Sequence, residues 1–101
     1  MATTTTKALA RAAAATSSAT LYTVPASTTT VVTNIAVTNT AGSAGTFSLL
    51  LDDVSLHTTT AIAANSTAYI DLKQVLATTK TIKGFASATT INFHISGVEI
   101  A

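Results

Sequence analysis

From Ile91 to Ser96 the chain alternates without a break: Ile91, Phe93 and Ile95 fall on one side, Asn92, His94 and Ser96 on the other. A period of two marks a strand with one face on a core and the other toward water. The pattern recurs. In Thr30–Asn39 the odd positions Val31, Ile35 and Val37, with Thr33 between them, predict one apolar face. The even positions after Val32 are Asn34, Ala36 and Thr38. Thr46–Asp52 puts Phe47, Leu49 and Leu51 on one side. Ala19–Val24, Val54–Thr60, Thr67–Leu72 and Thr81–Ala86 read as further short strands, with Val54 and Leu56 sharing a face and Gly84 marking a bulge.

Turn signals separate these segments. Pro25 cannot donate to a ladder and stops the first strand. Ala26–Thr29, the loop Thr40–Gly45 with two glycines, Asp52–Asp53 and Ala64–Ser66 supply the others. Asp71–Ala77 predicts a single helical turn, with Asp71 as N-cap and Leu72, Val75 and Leu76 toward the core. About seven strands at intervals of roughly 8–12 residues indicate an all-β antiparallel sandwich or barrel. No βαβ alternation argues for a parallel sheet.

Residues 1–18 read differently. Leu9 and Met1 are their only large apolar side chains, so they build no core of their own. Lys7–Ala15 has high helix propensity but is shorter than the ~12–15 residues an isolated helix needs in water. The expected organisation is an N-terminal arm over 1–18 and a β-domain over 19–101. Free, the arm is disordered; docked on a partner, it is a helix or an extended strand.

Composition bounds the chemistry. Threonine and alanine account for over two fifths of the 101 residues, and 9% are charged. The net charge of +1 gives no field that would draw nucleic acid or an anionic membrane. Cysteine is absent, which removes disulfides and thiolate metal sites. No stretch approaches the roughly 20 apolar residues of a membrane helix. Four alanines after Lys7 and Arg11 are too short and too weakly apolar for a signal-peptide core.

The reactive inventory is small. His57 and His94 lack a third ligand at metal-site spacing. Asp52–Asp53 lacks the surrounding oxygen ligands of a calcium loop and reads as a hairpin turn. Ser55, His57 and Asp52 are near in sequence, but no nucleophile turn or oxyanion glycine accompanies them. Asn65–Ser66–Thr67 fits a glycosylation sequon and reads as a turn. Lys80 and Lys83 have only Phe85 as a nearby aromatic, too little for a nucleic-acid platform. The expectation is a non-enzymatic protein with no catalytic residues, no cofactor and no metal.

Leu21–Ala26 (LYTVPA), running into Thr28–Val37, resembles the start of small β-sandwich virion structural proteins of tailed bacteriophages. Ile91–Ala101 (INFHISGVEIA) is similar to their closing strand, and Ile62–Asn65, Lys83–Ser87 and Lys7–Thr20 resemble their intervening turns, strands and leader. In that family Thr38–Asn39 is often followed by a more basic loop, where this chain has TAGSAG. The resemblance implies a jelly-roll or immunoglobulin-like sandwich with an extended N-terminal arm, serving as capsid cement or decoration protein. It implies residence in the virion, on the capsid surface, after assembly in the host cytoplasm. The implied partners are the major capsid protein and the chain itself, as a homo-oligomer with a trimer favoured. Lys7, Leu9 and Arg11 are the expected partner-binding residues of the arm, with Tyr22, Leu21 and Pro25 at its base. A tail, neck or baseplate accessory, or a receptor- or glycan-binding module, is the alternative; Tyr22 and Tyr69 alone make a poor aromatic platform for a glycan.

Overall fold

The alternating segments pair into two four-stranded antiparallel sheets. A computed structural model describes residues 3–101. The strands are β1 (Thr4–Ala13), β2 (Ala19–Thr23), β3 (Thr29–Asn39), β4 (Gly45–Leu51), β5 (Val54–Ile62), β6 (Ser66–Leu76), β7 (Thr81–Ala86) and β8 (Ile91–Ile100). The first sheet has the order β1-β8-β3-β6 and the second β2-β7-β4-β5. Every connection but one carries the chain from one sheet to the other, the exception being the β4–β5 hairpin.

The inward faces meet in one core. The first sheet contributes Val32, Ile35, Val37, Ile91, Phe93 and Ile95; the second contributes Phe47, Leu49, Leu51, Ile82 and Ala86. Phe47 and Phe93 meet edge to face across the sandwich, their ring centroids 6.4 Å apart, the geometry that aromatic quadrupoles favour. Asn39 is the largest buried polar side chain in this region. It donates to Ser43 O (2.9 Å) and Ala63 O (3.3 Å) and accepts from Ala41 N (3.0 Å), so one amide fixes two loops.

The β4–β5 turn explains its acidic pair. Asp52 and Asp53 have φ of 55° and 59°, as a two-residue primed hairpin requires at both central positions. Lys80 lies 3.6 Å from Asp52 and Lys83 lies 2.7 Å from Asp53. The carboxylates are turn residues with lysine partners.

A line of register shifts crosses the first sheet. Leu9 is the extra residue of β1 against β8, Thr33 is extra in β3 against β8, and β6 carries an extra residue against β3 near Leu72. Such bulges bend and twist a sheet. They also reset the alternation. Before Thr33 the inward residues of β3 are Thr30 and Val32; after it they are Ile35, Val37 and Asn39. Val31 therefore does not join Ile35 and Val37 as expected; it lies half-buried on the outer face. Gly97 sits in this line, where an added Cβ would lie 2.3 Å from Val31 O. Only glycine permits β3 and β8 to approach so closely.

Three other expectations are corrected. Residues 71–76 form no helical turn: β6 runs unbroken to Leu76 because Val75 and Gln74 pair with Val31 and Val32. Leu76 is buried, Leu72 is half-buried and Val75 is exposed. Gly84 is not a bulge, since β4 and β7 pair in constant register across it. It leaves room instead for Leu21, Leu49 and Phe93, each within 3.3 Å of a would-be Cβ, and the extra residue lies in β2 at Leu21.

The largest correction concerns the arm. Residues 4–13 are not extended away from the sandwich but form its edge strand β1, paired with β8. The backbone bonds Thr3 N to Ala101 O, Ala101 N to Thr3 O and Ala14 N to Ile91 O continue the pairing beyond both ends of β1. Helix propensity spans only tenths of a kcal/mol per residue. It loses here to an open ladder on β8 whose N–H and C=O groups need partners. Leu9 supplies the one fully inserted side chain.

Candidate functional site

The four residues expected to bind a partner through the arm are mostly engaged within the fold. Leu9 is 8% exposed and belongs to the core. Tyr22, 9% exposed, points from the second sheet toward the first. Its hydroxyl lies 2.9 Å from Thr30 Oγ1 and donates to Glu99 Oε2. Lys7 Nζ lies 3.4 Å from the same carboxylate. Lys7, Tyr22, Thr30 and Glu99 thus form a cluster that ties β1, β2, β3 and β8 together. The Tyr22 hydrogen bond, helped by Lys7, holds the Glu99 carboxyl below its usual range against the opposing effect of burial. Burial, and then the carboxylate itself, push the Tyr22 phenol above its usual 10.0. Nothing in the sequence pattern singles out Glu99, because the cluster joins residues 92 positions apart.

Arg11, like Lys7, stays on the surface, and its neighbours define a larger feature. The register aligns Arg11, His94, Ala36 and Tyr69 across all four strands of the first sheet. Nearer the other end a second row runs Thr6, Val98, Val31 and Val75. Tyr69 is 75% and Val75 67% exposed, and Ile100 on the same face is also exposed. This outer face sets exposed aliphatic side chains among a tyrosine and an arginine, two residue types enriched at protein interfaces. The TAYIDL alternation already puts Tyr69 opposite Ile70 and so toward solvent. The Val31–Val75 row was hidden by the bulges.

The other candidate constellations do not assemble. His57 turns inward on β5, with its ring 5.4 Å from Phe47 and Nδ1 3.1 Å from Thr60 Oγ1. His94 points outward from the opposite sheet. Ser55 and His57 pair with Leu50 and Leu49, successive residues of β4, so they face opposite ways. Asn65 is a turn residue with φ of 52°. Among the described residues no three histidine, aspartate or glutamate side chains gather as a metal site.

The second sheet carries a shallow groove of about 240 Å³ on its outer face, lined by Thr16, Thr46, Ser48, Thr59, Phe85 and Ser87 together with the core residues Phe47 and Ala86. No charged side chain lines it. No protein-family model matches the chain, and no curated protein matches it.

Proposed function

We propose that this chain is a non-enzymatic structural protein of a tailed-phage virion, a capsid cement or decoration protein that binds the major capsid protein. The observation that carries the reading is the outer face of the first sheet, where Tyr69 and Val75 on β6, Ile100 on β8 and Arg11 on β1 all stand exposed. The resemblance of Leu21–Val37 and Ile91–Ala101 to small virion proteins supplies the class of assembly. The finer fold reading is a jelly roll. Its support is the strand order, with β1 beside β8 and connections that cross between sheets, as two interleaved Greek keys produce. An immunoglobulin-like order would place the first strand beside the second.

Magnitudes shape the docking. Four strands about 4.8 Å apart and about ten residues long present roughly 14 Å by 33 Å, or roughly 470 Å². A stable complex buries about 800 Å² per partner. The face alone falls short, so the free edge of β1 or further copies of the chain must add area. A neighbour's strand pairing with β1 would supply main-chain hydrogen bonds that need no charged residue. Assembly as a trimer would add the avidity of three such contacts.

Copy number per purified virion tests this. A number matching the capsid subunits or their threefold positions is expected. A few copies per particle, set by tail symmetry, would overturn the cement reading in favour of a tail, neck or baseplate accessory.

A further inference from the structure

We propose that the groove on the outer face of the second sheet binds a single ring of a neutral saccharide. This goes beyond the cement reading and uses the face opposite the one assigned to docking, so either can fail alone. The groove is built from three strands and two connections, β1–β2 and β7–β8. Phe85 on β7 and Ser48 on β4 are register partners and form its floor. Thr46 lies two residues before Ser48 on the same face, next to Ser87. Thr59 comes from β5, and Thr16 from the connection between β1 and β2.

The polar groups are held in place and remain able to bond. Ser48 Oγ accepts from Thr59 N at 2.9 Å, and Ser87 Oγ accepts from Thr46 N at 3.0 Å. Each hydroxyl keeps its own proton to donate. Ser48 is 5% exposed, so its orientation is fixed by packing. Thr59 has φ of 48°, a region that β-branched residues rarely occupy. The adjacent register shift in β5 puts it there, and bulges commonly re-aim side chains at binding sites. The backbone thus departs from regular strand geometry at the rim of this groove.

The chemistry selects the ligand class. Five hydroxyls offer donors and acceptors without charge, which suits the hydroxyls of a sugar and gives no counter-ion to a phosphate, sulfate or carboxylate. Phe85, half-buried at the groove, supplies an aromatic ring, whose electron-rich face attracts the C–H face of a pyranose. The volume of about 240 Å³ lies below the roughly 300–1,000 Å³ of sites for drug-sized ligands, so the groove takes one ring, with the rest of a glycan outside. A single ring in a shallow site binds with a Kd on the order of 1 mM, and many copies on one particle would raise the effective affinity.

The test is an NMR titration of the intact, isotope-labelled chain with neutral monosaccharides (glucose, galactose, mannose and N-acetylglucosamine). At least one should shift the amides of Ser48, Thr59, Phe85 and Ser87 together and saturate in the millimolar range. Phe85→Ala should weaken that sugar at least tenfold. Thr16→Val, in a loop where loss of folding is not expected, should weaken it severalfold with an unchanged melting curve. No saturable shift with any of the four, or shifts confined to the Tyr69 face, would overturn the proposal. So would binding of benzyl alcohol in the groove with no response to the sugars, which would make it an apolar cleft.

Discussion

Strands β1 and β8 are partners in one ladder, yet they owe their structure to different causes. In β8 the alternation of Ile91, Phe93 and Ile95 with polar residues writes the strand into the local sequence, and all three apolar side chains are fully buried. In β1 eight of the ten residues are exposed and only Leu9 is buried. An isolated β1 has no reason to be extended. It is a strand because β8 presents an unpaired edge and because alanine and threonine are small enough to lie flat along it. One strand is specified by its own pattern and the other by its neighbour. The resulting asymmetry of anchoring should be measurable.

Core truncations expose that asymmetry most directly. Phe93→Ala removes the ring that packs against Phe47 in the centre of the sandwich and should cost about 3–5 kcal/mol, the usual range for a buried aromatic. Leu9→Ala should cost about 2–3 kcal/mol, at the lower end for leucine, because the site lies at an edge and can partly collapse. Urea unfolding measures both. Hydrogen exchange sharpens the result: in Leu9→Ala the β1 amides should lose protection before those of β3 and β8, as a sub-global opening. Uniform loss of protection would show that β1 is as integral as β8 and would break the comparison.

The same distinction separates what the sequence revealed from what it hid. The strands carrying Phe47, Leu49 and Leu51, and Ile91, Phe93 and Ile95, were legible because period two survives along them without interruption. So was the Asp52–Asp53 turn. Where a bulge resets the phase, period two misleads: it points Val31 toward the core, although the shift at Thr33 gives that place to Val32. The end of β6 looks helical in the sequence because one extra residue near Leu72 mimics a change of period. β1 was unreadable, since its propensity is helical and its cause lies some ninety residues away. The Tyr22–Glu99–Lys7 cluster shares that difficulty, whereas Tyr69 was visible from alternation alone.

That cluster is the polar counterpart of Leu9 in holding β1, and pH probes it. Glu99 has a folded pKa below its ordinary 4.5, chiefly because Tyr22 donates to it. Its contribution is complete above about pH 4.5 and is lost as pH falls through the folded value. Tyr22 is shifted upward, mainly by burial. Its contribution is complete below about pH 10 and is lost as pH rises through the folded value. Glu99→Gln should cost about 1 kcal/mol at neutral pH and flatten the acid limb of a plot of urea midpoint against pH. Lys7→Met should leave most of that limb, since the Tyr22 bond is the larger cause. An acid limb unchanged in Glu99→Gln would remove the cluster from the account of how β1 is held.

The smallest stability effects fall on the outer face, where the comparison turns from folding to assembly. Arg11→Ala and Tyr69→Ala remove exposed side chains at the two ends of one cross-strand row, and each should change stability by less than about 0.5 kcal/mol. If that row meets the capsid, each should nonetheless weaken retention on particles by about tenfold or more, as loss of an interface anchor does. Retention after salt and heat washes, scored beside the urea midpoint of each variant, separates the two quantities. Leu9→Ala should lower both, because it loosens the strand that presents Arg11. If Arg11→Ala and Tyr69→Ala leave retention unchanged while a proline in place of the exposed Ala13, whose N–H points away from β8, abolishes it, the contact is made by main-chain pairing along the free edge of β1. The row would then be ordinary surface, and β1, the strand least specified by its own sequence, would be the one that its assembly requires.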